Sequence, residues 1–249
     1  MNIFVCISNV PDTTTRIKYK PGNKEVDFSG VQWIINPWDE LALTRAIELK
    51  ESNPADVTKI TVITVGKADA EPTIRKALAS GADEAIRVDA TPDDAYTTAV
   101  QIAEALKNES FDLVLCGVES SDYNSWSVGG MLAELLDAPS ISAVSSLNIE
   151  NGKPVVTREV DGGKQTLRTS TPAVLVVQKG IAIIPRIPSM RGIMTARTKP
   201  LKVVQGVSTE PLTKIVEFQA PPQKGSCKMI DPEHLDELPE LLHKEARVI

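Results

Sequence analysis

The residues of this chain that could do chemistry crowd into one stretch, GVESSDYNSWSVGGMLAELLDAP, from Gly117 to Pro139. Glu119, Ser120, Ser121, Asp122, Asn124, Ser125 and Ser127 run into Gly129-Gly130 and then a helical pattern that opens near Val128. The first amides of a helix have no intrahelical partner, and small residues let a ligand come close, so such a segment can cradle a phosphate. A capped βα turn without any ligand would use the same residues. The loop is longer than the about 2–6 residues common in such connections, which favours a ligand. Trp126 and Tyr123 either stack on a base or cover the helix, and for Trp126 packing is the preferred reading.

Elsewhere the sequence offers no catalytic constellation. Its two histidines, His234 and His243, lie near the C-terminus without a cysteine at ligand spacing. They read as surface residues rather than zinc ligands. The patterns G-x-S-x-G, G-x-x-x-x-G-K-[ST] and G-x-G-x-x-G are missing. Most carboxylates fall on helical segments, where a solvated face explains them. The chain is therefore expected not to be an enzyme.

The elements that must position the Gly117 loop alternate between strand and helix. Short apolar runs occur at Ile3–Ile7, Ile60–Val65, Ala85–Ala90 and Asp112–Gly117. Between them lie WDELALTRAIELKES, AEPTIRKALASGA and DAYTTAVQIAEALKN, with apolar residues at helical spacing. This order predicts a doubly wound α/β fold, a mostly parallel sheet with helices on both faces. Ligands in such sheets bind at the carboxyl ends of the strands. The Gly117 loop, Ser8–Pro11 and Gly66 all fall there. Asn36 suits an N-cap, Pro37 the first helical position, and Asp39 with Glu40 the positive end. Asn151-Gly152, Gly162-Gly163 and Pro21-Gly22-Asn23 predict antiparallel hairpin additions. Residues 1–205 read as the nucleotide-binding body and 206–249 as an arm, ending in a short amphipathic helix that needs a partner surface.

The 249 residues carry a net charge of −6, unevenly spread. From Gly162 to Thr209 there is no acid but eight bases, Lys164, Arg168, Lys179, Arg186, Arg191, Arg197, Lys199 and Lys202. Removing them leaves 19 bases against 33 acids in the remainder. That predicts a face for something negative. Nucleic acid is a poor candidate, because the remainder repels it and aromatic residues make up only 4% of the chain. Cys6, Cys116 and Cys227, odd in number and far apart, predict thiols in a reducing, cytoplasmic setting. No run of about 18 apolar residues predicts membrane insertion, and the N-terminus reads as a strand rather than a signal peptide.

Several segments resemble one family, the electron transfer flavoprotein beta subunits. VTREVDGGKQTLRTSTPAVLVV matches the family signature through Arg158, Asp161, Gly162, Gly163, Leu167 and Pro172, although Val176 stands where a small or hydroxyl residue is usual. INPWDELALTRAIELKE resembles its N-P-x-[DE] helix start, and TIRKALASGADEAIRV its T-[IL]-R-x-A-L-A-x-G-A-D segment. PRIPSMRGIMTARTKP, residues 185–200, resembles its recognition loop.

The resemblance implies a heterodimer with an alpha subunit that holds most of a shared FAD. It implies electrons accepted from flavin dehydrogenases, typically acyl-CoA dehydrogenases, and passed to a membrane quinone oxidoreductase. It also implies AMP bound by Cys6, Asn36, Pro37, Trp38, Asp39, Val65, Gly117, Glu119, Ser121, Asp122, Asn124, Ser125, Trp126, Ser127 and Val128. The AMP-binding relatives usually show Asn-Gln-Thr-Gly where this chain has Trp126-Ser127-Val128-Gly129. GVESSDYNS is partly similar to nitrogen-fixation-associated relatives, and electron-bifurcating relatives hold a second FAD there. In the recognition loop Met190 takes the anchoring position, a flexible thioether suited to several partners. Arg186, Arg191, Ile193, Met194, Arg197 and Lys199 surround it, with packing of Ile193 and Met194 on the chain's own core as the alternative. A stand-alone adenine-nucleotide regulator is the reading from another class, and it needs neither the loop nor the arm.

Overall fold

The computed structural model describes residues 1–223 and 225–249. Its centre is a sheet built from β1 (Asn2–Cys6), β6 (Lys59–Val65), β7 (Glu84–Asp89), β8 (Leu113–Gly117), β9 (Ser140–Glu150), β10 (Lys153–Val160), β11 (Gly163–Arg168), β12 (Ala173–Val177) and β13 (Leu201–Gln205). These nine strands are ordered β11-β10-β9-β12-β8-β1-β6-β7-β13. From β9 to β13 every neighbouring pair is parallel, while β10 runs antiparallel to both β9 and β11. Four short strands, β2 (Asn9–Pro11), β3 (Lys18–Tyr19), β4 (Val26–Asp27) and β5 (Trp33–Ile35), form two antiparallel pairs outside it.

Alternation along the central strands explains the layers. Ile3 and Val5 join one buried cluster, Phe4 and Cys6 the other. Strands apolar on both sides must be covered on both sides. Helices α1 (Pro37–Ser52) and α2 (Glu71–Ser80) cover the first face through Leu43, Ile47, Ile74 and Leu78. Helices α3 (Ala95–Leu106) and α4 (Val128–Leu135) cover the second through Ile102, Leu106 and Leu132. The expected doubly wound α/β architecture is the one observed.

Strand β1 has β6 on one side and β8 on the other, so the chain winds outward from it in two directions. Such a reversal opens a crevice at the carboxyl ends of β1 and β8. That point positions the candidate site.

Local differences from the sequence reading have simple causes. Asn151 and Gly152 both take positive φ, 51° and 71°, the geometry of the tightest hairpin turns. The next hairpin turns at Asp161-Gly162 instead of Gly162-Gly163, because Gly163 already pairs with Val160. Residues 185–200 are not simply a loop. Ser189 accepts a hydrogen bond from the Gly192 amide and caps a short helix, α5 (Met190–Ala196), whose interior contains no proline.

The acid-free run is not one face either. Lys164 and Arg168 lie on β11 and Lys202 on β13, the opposite edges of the sheet. Nine strands spaced about 4.8 Å apart separate those edges by nearly 40 Å. Lys164, Arg168, Arg186 and Lys202 pair with Glu159, Glu150, Glu51 and Glu109. Linear charge asymmetry failed here because strand crossovers scatter neighbours in sequence across the sheet.

Candidate functional site

A cleft of about 390 Å³ opens at the carboxyl ends of β1, β6 and β8. Its floor is apolar and thiol-bearing. Cys6 and Cys116, on neighbouring strands, place their sulfurs 3.4 Å apart. The bond to Cys116 and then burial push the Cys6 thiol well above its ordinary range.

The Asn36–Asp39 segment braces this floor. Asn36 occupies the N-cap position, but its side chain does not cap α1. Its amide donates to the Glu119 carbonyl at 2.8 Å, and its carbonyl oxygen accepts from the Ser121 amide at 3.1 Å. Asp39 stands in the first turn of α1, as expected, and is buried there. Its two oxygens accept from the Ser8 amide at 2.8 Å and the Gly117 amide at 3.0 Å. One carboxylate thereby joins the ends of β1 and β8 to the start of α1. Burial pushes its pKa up to about 7, against the opposing pull of these N–H donors. Gly117 is required by the same closeness, since a Cβ there would lie 2.8 Å from Trp38 Cβ and against Asp39.

The loop after β8 forms one wall. Asn124 and Trp126 both hold positive φ, 50° and 52°. A bulky side chain in the left-handed region stores on the order of 1–3 kcal/mol, and such strain gathers at ligand sites. Trp126 is 59% exposed at the mouth of the cleft, as is Tyr123. Packing over the helix is therefore not what Trp126 does. The paired glycines also differ from expectation. A Cβ at Gly129 would meet Val176 at 2.5 Å, so that glycine seats α4 on the sheet, whereas Gly130 faces open space. The first bond back into α4 runs from the Met131 amide to the Ser127 carbonyl, 3.0 Å. The amides of Val128, Gly129 and Gly130 are thus the unpartnered ones of a helix start.

Of the expected ligand residues, Cys6, Asp39, Val65, Gly117, Glu119, Asp122, Ser125, Trp126, Ser127 and Val128 line the cleft. Asn36, Pro37, Trp38, Ser121 and Asn124 are not part of that lining. Sequence reasoning missed the opposite wall. Asp93, Asp94, Tyr96 and Thr98, after β7, belong to it, and so do Leu212–Ile215 of the arm. Asp94 caps α3 by a reciprocal bond pair with Thr97 and also accepts from the amides of Leu212 and Thr213 at 2.7 and 2.9 Å. These donors pull its pKa down to about 2, against a desolvation cost that acts the other way. The D-x-x-T spacing before α3 was a readable cap signal, but its second task joins residues over a hundred positions apart.

Residues 25–207 match the family model of the electron transfer flavoprotein domain. The chain is 38% identical over 234 residues to the electron transfer flavoprotein subunit beta of Syntrophomonas wolfei subsp. wolfei, covering 94% of this chain and 91% of that one. It is 36% identical over 263 residues to that of Bacillus subtilis (strain 168), covering all of both chains. It is 33% identical over 233 residues to that of Homo sapiens, with 90% of each covered. The chain belongs to the electron transfer flavoprotein beta subunits.

The resemblance in residues 185–200 of this family member takes a definite shape. Helix α5 packs on α2, where a Cβ on Gly192 would strike the Ala79 carbonyl oxygen. Arg75 donates to the carbonyls of Ala196 and Lys199, both at 2.8 Å. The Lys199 ammonium turns inward to the carbonyls of Leu78 and Ala82, closing the C-terminal end of α2, and burial lowers its pKa. Grouping Lys199 with outward-facing cations therefore needs correction. Arg186 pairs with Glu51, while Arg191 and Arg197 have no carboxylate partner among the described residues. Met190 is 77% exposed, Met194 72% and Ile193 46%, so neither Ile193 nor Met194 packs into the core. Ile183, Ile184 and Ile187, in the segment before α5, are exposed as well. The family signature from Arg158 to Leu167 lies on the β10–β11 hairpin and Pro172 just precedes β12; none of these residues lines the cleft.

Proposed function

We propose that this beta subunit is the non-catalytic half of a heterodimeric electron carrier, binding AMP in the cleft and docking redox partners through α5. The observation that carries the docking is the exposure of Met190, Ile193 and Met194 on a helix that is itself seated on α2, with Ile183, Ile184 and Ile187 exposed in the segment before it. One apolar anchor can dominate an interface, which gives Met190 its role. The unpaired Arg191 and Arg197 speed encounter with acidic dehydrogenases, typically acyl-CoA dehydrogenases, and a membrane quinone oxidoreductase takes the electrons onward.

The residues present suit a mononucleotide. A volume of about 390 Å³ sits near the small end of the about 300–1,000 Å³ of small-molecule sites, which favours a mononucleotide over a dinucleotide. The amides of Val128, Gly129 and Gly130 offer hydrogen bonds to a phosphate, and Trp126 offers a stacking face. FAD, shared with the alpha subunit and held mostly there, supplies the electron transfer; this chain's residues orient the assembly.

Residues 1–205 act as the body and 206–249 as the arm that meets the alpha subunit. Met229, Leu235, Leu238, Val248 and Ile249 lie exposed along that arm, an apolar supply for a partner. No helix among the described residues is long and apolar enough to cross a membrane. The free thiols of Cys6, Cys116 and Cys227 accord with the cytoplasm.

Co-purification with an electron transfer flavoprotein alpha subunit tests this reading. The expected product is a yellow one-to-one complex that releases one FAD and one AMP on denaturation. Two FAD would replace it with a bifurcating carrier. A colourless homodimer that binds ATP would replace it with a stand-alone regulator.

A further inference from the structure

Two thiols meet on the floor of the cleft. Cys6 ends β1, and Cys116 stands one residue before the end of β8, the neighbouring parallel strand. Ile3, Phe4 and Val5 pair with Leu113, Val114 and Leu115, so Cys6 and Cys116 fall in the next row. Both side chains join the cluster that holds Phe4 and Val114, on the same face of the sheet. Their sulfurs stand 3.4 Å apart, and each residue lines the cleft. The row is also held from its far sides, where Cys6 pairs with Ile63 and Cys116 with Val176. All three cysteines are free, and Cys227 is exposed on the arm.

We infer that Cys6 and Cys116 form a reversible oxidation site, a dithiol that peroxide entering through the cleft closes to a disulfide. Neighbouring strands lie about 4.8 Å apart, which puts the two Cα atoms within the about 4.4–6.8 Å that a disulfide spans. In a parallel row the two Cβ atoms keep nearly the strand spacing, above the mean of about 3.8 Å in disulfides, so the closed form is strained and easily reduced. Strained disulfides are the labile, regulatory ones. In the first step one thiolate attacks a peroxide oxygen and the O–O bond breaks. Hydroxide leaves, takes up the proton that the thiol released and becomes water, and a sulfenic acid remains. The second sulfur then attacks the first, the S–S bond forms, and the sulfenic oxygen departs as water with the second thiol's proton. Two thiols have lost two electrons and two protons, and the peroxide has become two waters. The Cys6 thiol, pushed up by its bond to Cys116 and then by burial, keeps its proton well above the ordinary range. Because the thiolate is the nucleophile, the pair answers to sustained oxidant rather than to traces. The closed bond ties β1 to β8 beneath the cleft, close to the Ser8 and Gly117 amides that Asp39 already joins.

Hydrogen peroxide applied to the folded full chain provides the test, followed by alkylation of the remaining thiols in denaturant and peptide mass mapping. Two of the three free thiols are expected to disappear, as a link between the Cys6 and Cys116 peptides that lacks two hydrogen atoms. A glutathione buffer at cytosolic poise should reopen the link and restore all three thiols. In a Cys227→Ser background the loss of two thiols should persist, and adding Cys116→Ser should abolish the link. An unchanged thiol count overturns the site. So do links confined to Cys227 of two copies, and so does separate oxidation of Cys6 and Cys116 to sulfinic acids. A link that glutathione leaves closed overturns its reversibility. The peroxide treatment and the mapping use unmodified protein, so a variant that fails to fold does not block the test.

Discussion

The cleft and the α5 finger are both built around the start of a helix, yet they are held in opposite ways. The cleft gathers residues from Cys6 to Ile215, joined by hydrogen bonds that span long stretches of chain, such as Asp39 to Gly117 and Asp94 to Leu212. The finger is contiguous, and its support comes from behind, through Gly192, Arg75 and Lys199 against α2. A small ligand must be met from several sides at once, so its site needs converging elements held rigidly. A protein partner can be met by one side, so its site needs exposed apolar area on a stable base. Substitutions should therefore unfold the protein in the first region and uncouple it from partners in the second.

The largest effect should come from Asp39→Ala. Two backbone amides lose their acceptor, at a cost of about 1–3 kcal/mol each when they stay buried. At pH 5, urea unfolding should show a loss on the order of 2–5 kcal/mol. The cost should then depend on pH in a defined direction. With a folded pKa of about 7 against an ordinary 3.8, the native state holds a proton through that window that the unfolded chain has released. Stability contributed by this group is highest below pH 4 and falls as pH rises through 7. The variant lacks the titration, so the gap between the two proteins should shrink with rising pH. A gap that widens would mean that the amides win over burial and that Asp39 is a permanent anion.

Gly192→Ala comes next. The added methyl would strike the Ala79 carbonyl and lift α5 from α2. Overpacking of this kind costs about 1–3 kcal/mol, offset by roughly 1 kcal/mol of helix propensity. Electron uptake from a dehydrogenase should fall more than stability does. If uptake holds while stability drops, the finger does not need its seat on α2 to meet a partner.

How much of this could be read from sequence follows the same division. The finger was legible because its residues adjoin one another, and the strand–helix alternation exposed the fold because each element is local. Half the cleft was legible too, through Asn36-Pro37-Trp38-Asp39 and the Gly117 loop. The wall from Asp93 to Thr98 and the strap at Leu212–Ile215 were not. No local pattern marks an aspartate that caps its own helix and also clasps a segment 118 positions later. The inward turn of Lys199 was equally hidden, because a lysine beside arginines looks the same whether it caps a helix or faces solvent.

Trp126→Gly should have the opposite sign in stability. Glycine relieves the positive φ of 52°, a gain of about 1 kcal/mol against the entropy glycine adds to the unfolded chain. AMP affinity should drop as the stacking face is lost. Unchanged affinity would remove Trp126 from the ligand site and leave its strain unexplained.

The smallest change in stability belongs to Met190→Ala, and it separates the regions most cleanly. Met190 is 77% exposed, so little apolar surface is buried by it, and substitutions at such positions usually stay within about 0.5 kcal/mol. Unfolding midpoint, flavin spectrum and AMP content of the heterodimer should therefore match the parent. Reduction by a dehydrogenase should still slow by about tenfold or more, since truncating a central anchor costs roughly 2 kcal/mol at an interface. That loss should appear mainly as a raised KM for the heterodimer, because the anchor acts in docking and the flavin environment is untouched. Matched loss of stability and reduction would instead place Met190 in the folding of α5, and the finger would then be structure rather than contact.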